Sequence, residues 1–511
     1  MTDLALSDAE ARFDRRRRAM GLMLAPLSLV GLIALPMPGL SPQAHTLAGV
    51  AAMTVVLWVT EAIPLAAAAL LGPALAVVLG VADAKTAMAA FGDPLIFLFL
   101  GGFLLAGGLA RQGFDRRAAL WLVSRPFVDG SPRRALYAVG MIGFGFSMWI
   151  SNTATTAMLL PVALGLYQTI RRTAPGDPDT QRKLERYGGG MCLALAYASS
   201  LGGSATPVGT GPNVIAMGML ESQTGTSIDF GTWMLFGVPT AAVMTVIVLW
   251  LASRAFPAPI ERVEGLTAEV ARQLEELGPL RKGEVRVLLV FGLTVIGWLL
   301  PAAFKLSLGD AHALTVWADG ALDEGVVALV GSSLLFMLPD GTKDEAGERR
   351  RLLEWQSAQD IDWGTLLLLG GGLALGKLTF HTGLAEALGR GVLQLAGPIA
   401  EHPAGLLAAA TLLVIFLTEV TSNTATTSMM LPVLIGIAKA SGFDPTATAV
   451  SVTLAASYAF MLPVGTPPNA MAYGTRMIRL DSMVRIGLRL DLAGFVVLVA
   501  SGLLLLPWLL G

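Results

Sequence analysis

Apolar runs of nearly 20 residues recur along the chain, separated by short polar segments. A helix needs about 20 apolar residues to cross about 30 Å of hydrocarbon. Runs of that kind occupy roughly 20–36, 47–60, 64–82, 93–110, 232–253, 287–304, 325–338, 364–380 and 490–510. Four more apolar regions, at about 135–170, 188–221, 404–436 and 446–475, are broken at their middles by polar or Gly/Pro clusters. The pattern predicts an all-α polytopic membrane protein.

Composition narrows this further. Hydrophobic residues make up 54% of the 511 residues and charged residues only 14%, with a mean hydropathy of +0.66. Soluble domains carry about 25% charge, so a soluble enzyme, a nucleic-acid binder and a disordered chain are all excluded. The single cysteine, Cys192, allows no internal disulfide, and the four histidines are scattered without metal-ligand spacing. The apolar run 21–36 follows a charged segment but lacks a small-residue cleavage site, so it reads as a first span and not as a signal peptide.

The basic residues set the topology. With the N-terminus in the cytoplasm, and with 135–170 and 404–436 each entering and leaving on one side, 30 of the 35 Lys and Arg fall in six inner segments. The outer segments hold only Lys85, Lys305, Arg390 and Lys439, while Lys377 sits at a span end. This is the positive-inside asymmetry. Eleven transmembrane helices plus two re-entrant hairpins satisfy every loop and leave the C-terminus outside. The expected organisation is a cytoplasmic N-terminal segment 1–19, a first half 20–253 with an inward-opening hairpin at about 135–170, a cytoplasmic linker 254–286, and a second half 287–511 with an outward-opening hairpin at about 404–436.

The two halves repeat one another. Residues 148–161 (MWISNTATTAMLLP) match 419–432 (EVTSNTATTSMMLP) at an offset of 271. Residues 207–213 (PVGTGPN) match 463–469 (PVGTPPN) at an offset of 256. Upstream, 101–106 (GGFLLA) resembles 370–375 (GGGLAL). The loop tally opens the two hairpins to opposite sides, so the repeat is expected to be inverted. Inverted repeats with interrupted helices mark secondary transporters, with the site near the midplane.

Polar groups at membrane depth are costly unless used. A Ser-Asn-Thr tip starts a half-helix whose free N–H groups and positive dipole end receive anions. Ser151, Asn152 and Thr153, and likewise Ser422, Asn423 and Thr424, can each hold one end of a dianion. The Gly/Pro breaks release carbonyls near Gly209 and Gly465, hard ligands suited to Na⁺. The alternative for either break alone is a kinked packing helix; two matching breaks beside two matching tips argue against it. No Lys or Arg lies near either tip in sequence, yet a buried dianion needs compensation. The missing positive charge is therefore expected to arrive as bound cations. Two Na⁺ would neutralise a dianion, and a third would add about 2.3 kcal/mol per 100 mV of membrane potential. Of the remaining charges, Glu61 reads as holding a span end, Glu419 as a structural hydrogen-bond acceptor and Lys377 as snorkelling to the surface.

At these motifs the sequence resembles the divalent-anion/sodium symporter family of dicarboxylate, citrate and sulfate transporters. The resemblance rests on the two Ser-Asn-Thr tips, the run Thr60 to Pro64 (TEAIP) and the two Gly-Thr-x-Pro-Asn breaks, and it extends over nearly the whole chain. It implies a homodimer with a scaffold part at the dimer interface and a transport part moving like an elevator. It places a first sodium site on Ser147, Ser151, Asn152 and Gly209, and a second on Thr418, Thr421, Asn423 and Gly465. Substrate contacts fall on both tips, on Thr466 and Pro467, and more weakly on Thr210, because the first break lacks the paired prolines of the second. Hydroxyls at Ser147 and Thr418, where an exchanger would place a cation, favour symport.

The expected function is sodium-coupled import of C4-dicarboxylates (succinate, malate, fumarate) across the cytoplasmic membrane. Na⁺ is the coupling ion, and no cofactor or nucleic-acid partner is expected. The alternatives are a sodium-independent dicarboxylate exchanger, a symporter for citrate or sulfate, and an anion channel. A membrane enzyme would need His, Cys or paired carboxylates near the tips, and the sequence has none there.

Overall fold

The computed structural model describes residues 8–510, apart from 129, 264–265, 344–346 and 397–401. Residues 1–7 of the expected N-terminal segment, 264–265 of the expected linker, and 344–346, 397–401 and 511 of the expected second half lie outside the described residues.

Helices dominate the chain. The first part contains α1 (Asp8–Ala34), α2 (Pro42–Thr60), α3 (Leu65–Val78), α4 (Ala84–Met88), α5 (Pro94–Gln112) and α6 (Phe114–Val123). A hairpin of α7 (Pro132–Ser147) and α8 (Asn152–Thr173) follows, then α9 (Pro178–Ala205), α10 (Gly211–Thr224) and α11 (Phe230–Ala255). After α12 (Leu266–Glu276), the second part runs through α13 (Lys282–Leu308), α14 (Ala313–Ala321), α15 (Glu324–Met337), α16 (Trp355–Ala358), α17 (Trp363–His381) and α18 (Leu384–Ala396). The matching hairpin is α19 (Pro403–Thr418) and α20 (Asn423–Ala440), followed by α21 (Thr446–Ala455), α22 (Pro467–Gly474) and α23 (Leu480–Leu510).

Local chemistry fixes many of these ends. Side chains of Asp93, Ser131, Asp177 and Asp229 accept amide bonds at the starts of α5, α7, α9 and α11, three of them with proline in the first turn. Gly113 (φ +73°) turns α5 into α6, and Gly225 (φ +73°) ends α10, both in the left-handed region glycine tolerates. Glu61 ends α2 in the same region (φ 47°), where it accepts a 2.8 Å bond from Arg17 Nη2. Lys377 does not simply snorkel: its Nζ bonds Asp93 Oδ2 at 2.9 Å, tying α17 to the start of α5.

Among the described residues, eight helices are long and apolar enough to cross a membrane, or nine if the α14–α15 pair, bent by 65°, is one span. The eleven expected from sequence leave out α8 as re-entrant. They add the short α3 and the two interrupted runs α9–α10 and α21–α22. The all-α expectation misses one small element. β1 (Pro339–Lys343) and β2 (Arg349–Arg351) pair antiparallel in a polar connection, where sequence alone shows only turn residues. Gly341 (φ +94°) turns beside Asp340, whose carboxylate accepts Thr342 N at 2.7 Å.

The centre of the packing is α9, in which every residue from Tyr187 to Ala205 is buried. Helices in a bilayer pack through small residues that let backbones approach. At Gly202 a Cβ would lie 2.2 Å from Phe144 O of α7. In the first half α7, α8 and α11 pack on α9; in the second, α19, α20 and α23 pack on α21. The halves also exchange neighbours: α10 lies against α20, and α22 lies against α8. Helices α1 to α4 build a separate, smaller apolar cluster against α17.

Candidate functional site

Each hairpin turns in the same way. In the first, Ser147 Oγ donates to Asn152 Oδ1 at 2.8 Å, and Ser151 Oγ caps α8 by accepting Ala154 N at 3.3 Å. In the second, Thr418 Oγ1 lies 2.9 Å from Asn423 Oδ1 and 2.6 Å from Ala456 O. Ser147 and Thr418 are fully buried, whereas the tip residues 151–153 and 422–424 are half-buried. The tips are thus reachable surfaces over buried oxygen clusters.

The interrupted runs carry a second matched pair. Between α9 and α10, Asn213 Nδ2 donates to Gly203 O at 3.0 Å and Thr206 O at 2.7 Å, ten and seven residues upstream. Between α21 and α22, Asn469 Nδ2 donates to Ala459 O at 2.8 Å and Leu462 O at 3.1 Å, again ten and seven residues upstream. Each asparagine thereby spans the break in its run, a 3₁₀ turn at Pro207–Gly209 in the first and turns without regular helix in the second. Both side-chain oxygens, Asn213 Oδ1 and Asn469 Oδ1, are buried with no hydrogen-bond partner.

Tip and break meet within each half. Thr206 Oγ1 donates to Met148 O of the first tip. A Cβ on Gly203 would sit 2.1 Å from Asn152 Oδ1, and one on Gly209 would sit 2.4 Å from Gly203 O. In the second half, a Cβ on Gly465 would lie 3.3 Å from Glu419 O. Glu419 itself is 1% exposed and accepts Met461 N at 2.8 Å and Leu462 N at 2.9 Å, pinning the break to the hairpin. This is the structural acceptor role its sequence position suggests.

The halves also meet across the site. Gly211, at the start of α10, approaches Thr424 so closely that a Cβ would lie 3.1 Å from its Oγ1. Neither α10 nor α20 has a side-chain cap at its N-terminus. Two first turns without side-chain caps therefore converge, one buried at Gly211 and one half-buried at Thr424, and their positive dipole ends suit an anion. In contrast, α8 and α22 are capped by Ser151 and Thr466. Among the described residues, no hydrogen bond or ion pair of the tip residues involves Lys or Arg.

A family model described as the sodium:sulfate symporter transmembrane region matches residues 16–511. The chain belongs to the sodium:sulfate symporter family. This symporter is 35% identical over 499 residues to the sodium-dependent dicarboxylate transporter SdcS of Staphylococcus saprophyticus, covering 96% of this chain and 92% of that protein. It is 32% identical over 500 residues to the protein of the same name in Staphylococcus aureus strain MRSA252, with the same coverage. Its fold resembles two solved structures. They are the Alcanivorax borkumensis YdaH transporter (TM-score 0.53, 15% identity, 84% of this chain and 89% of that one) and Neisseria gonorrhoeae MtrF (TM-score 0.54, 11% identity, 95% and 94%). The symporter is a multi-pass membrane transporter and not an enzyme.

The structure brings the expected residues of this symporter together unevenly. Ser147, Ser151 and Asn152 form one cluster, which Gly209 approaches through Gly203. Thr418 and Asn423 form the other, with Gly465 behind Glu419. Thr421 is occupied within its own hairpin, bonding Leu417 O at 2.8 Å and Thr426 Oγ1 at 2.5 Å. Thr153 and Thr424 flank the tips. Thr210 is half-buried, Thr466 is buried, and Pro467 is exposed. Two features escaped sequence reasoning. One is the paired donor role of Asn213 and Asn469, though both asparagines stand in the repeated motif. The other is Asp491, 1% exposed in α23, whose carboxyl faces Glu419. Its signal was an acid inside an apolar helix, hidden because the last apolar run begins at residue 490.

Proposed function

We propose that the chain is a sodium-coupled importer of C4-dicarboxylates such as succinate, malate and fumarate. The observation that carries this reading is the meeting of two uncapped helix N-termini, α10 and α20, at Gly211 and Thr424, beside two oxygen-lined clusters without a bonded cationic side chain. An anion end fits the converged positive dipole ends, and the two tips at Asn152 and Asn423 give a short dianion two holds. The names of the staphylococcal relatives support the same substrate class and the same ion.

In this reading Na⁺ binds before the substrate. One ion takes oxygens from Ser147, Ser151, Asn152 and Gly209, the other from Thr418, Thr421, Asn423 and Gly465. All are neutral oxygen donors, which suit a hard cation. The ions then supply the charge that the tips lack, so substrate affinity depends on sodium. Thr153, Thr424, Thr210, Thr466 and Pro467 complete the substrate cradle. We further propose that the halves are inverted, that the hairpin-bearing part moves against a scaffold like an elevator, and that two chains form a homodimer. The N-terminus lies in the cytoplasm and the C-terminus outside.

Uptake of labelled succinate into proteoliposomes, with and without an inward Na⁺ gradient, tests the proposal. Accumulation that requires the gradient is expected. Uptake that ignores sodium but needs internal dicarboxylate would make the chain an exchanger, and non-saturating flux would make it a channel. Asn152→Ala and Asn423→Ala should each abolish uptake while the melting temperature stays near that of the parent.

A further inference from the structure

A cavity lies at the end of α7 away from the first tip, where α7 and α11 carry basic residues. Its volume is about 430 Å³, and it is lined by Arg133, Leu136, Tyr187, Arg254, Phe256 and Glu261, among others. Arg133 stands in the first turn of α7 and Arg254 in the last turn of α11. Both are exposed, and neither guanidinium has a hydrogen-bond or carboxylate partner among the described residues. Each instead lies over an aromatic ring of its own helix: Arg133 is 5.9 Å from the Tyr137 ring centre and Arg254 is 5.1 Å from that of Trp250.

The two helices are tightly joined just above the cavity. A Cβ on Gly140 of α7 would lie 2.3 Å from Leu249 of α11, and Tyr137 Oη sits 3.3 Å from Ser253 Oγ. Beside this seam each helix presents an apolar strip. On α11 it runs through Val243, Val246 and Trp250, which are 53%, 60% and 47% exposed. On α7 it runs through Met141, 45% exposed, to Tyr137. Both strips end at the two arginines.

We infer that this cavity binds the phosphate-bearing headgroup of an anionic phospholipid, with the acyl chains lying along the strips of α7 and α11. Two guanidinium groups without partners match a phosphodiester in charge and in donor geometry. Basic pockets between helices at the cytoplasmic face suit anionic headgroups, and Trp250 and Tyr137 stand where interfacial aromatics belong. The apolar strips favour a lipid over free phosphate, which has no use for them. Glu261 at the rim disfavours a second negative charge, which matches a single phosphodiester.

The test uses the full chain in nanodiscs of phosphatidylcholine and phosphatidylglycerol, read by native mass spectrometry. Phosphatidylglycerol should be retained preferentially. Each basic residue near an anionic surface is worth about a factor of five, so Arg133→Gln and Arg254→Gln should each cost roughly fivefold and the double variant about 25-fold. Arg172→Gln, in the last turn of α8, should change nothing. Brominated phosphatidylglycerol should quench a fluorescence component that Trp250→Phe removes, and brominated phosphatidylcholine should not. Unchanged retention in the double variant, or equal quenching by both lipids, would overturn the proposal. Displacement of the lipid by millimolar inorganic phosphate would overturn it in favour of a free-phosphate site.

Discussion

Asn152 fills the space that any side chain at Gly203 would need: a Cβ there would lie 2.1 Å from Asn152 Oδ1. The end of α9 therefore backs the tip asparagine by backbone contact, while Ser147 Oγ holds its Oδ1 at 2.8 Å. Overpacking of this kind costs about 1–3 kcal/mol, and here the displaced group is the proposed sodium ligand. Gly203→Ala should raise the sodium concentration for half-maximal succinate uptake by roughly ten- to hundredfold. Ordinary sodium dependence in this variant would show that Asn152 has room to move.

Asn213 and Asn469 each donate two hydrogen bonds that an aspartate cannot make. Asn213→Asp and Asn469→Asp should therefore collapse their breaks and bury an unpaired charge. Losses of this type run to about 3–5 kcal/mol. Both variants should lose uptake and melt at lower temperature. Asn213→Gln, which keeps the donors on a longer arm, should retain more stability than Asn213→Asp in the same melting assay.

Glu419 binds two successive amides, Met461 N and Leu462 N, at 2.8 and 2.9 Å. Glutamine keeps one acceptor and turns its other group, a donor, towards a donor. Hydrogen bonds to a charged acceptor are worth about 1.5–3 kcal/mol. Glu419→Gln should thus weaken sodium-dependent stabilisation against heat and lower uptake, and Glu419→Ala should do so more strongly. Equal sodium stabilisation in parent and Glu419→Gln would show that this pin between break and hairpin does not support the second sodium site.

Arg117 joins α6 to the end of the connection between the halves. Its Nε and Nη2 reach the two oxygens of Glu284 at 2.7 and 3.2 Å, and Nη1 reaches Gly278 O at 2.7 Å. Glu284 is 1% exposed. Breaking a buried pair from one side costs about 3–5 kcal/mol. Arg117→Met should therefore lower the melting temperature and admit limited proteolysis near residues 266–284, and the paired Arg117→Met/Glu284→Leu variant should recover part of the loss.

The sequence made the tips legible because polar residues stand in the middle of apolar runs, where they have no bland explanation. The repeat was legible because fourteen-residue stretches nearly coincide. What lay hidden depends on contacts across long separations. The donor role of Asn213 reads like a break in a helix until Gly203 and Thr206 are seen beneath it. Asp491 is a lone acid near a run boundary until α23 proves to start at Leu480, eleven residues earlier, and to carry it against Glu419. The β1–β2 ribbon consists of polar residues with no alternating apolar face, so no period-two pattern announced it.

Because α10 lies on α20 and α22 on α8, each proposed anion cradle draws on both repeats. On that proposal, neither repeat holds a complete substrate site by itself. A single ancestral unit could have acquired this site only by pairing with a copy of itself. Joining the two copies into one chain would then have freed the halves to diverge, as the Gly-Thr-Gly-Pro and Gly-Thr-Pro-Pro breaks already have.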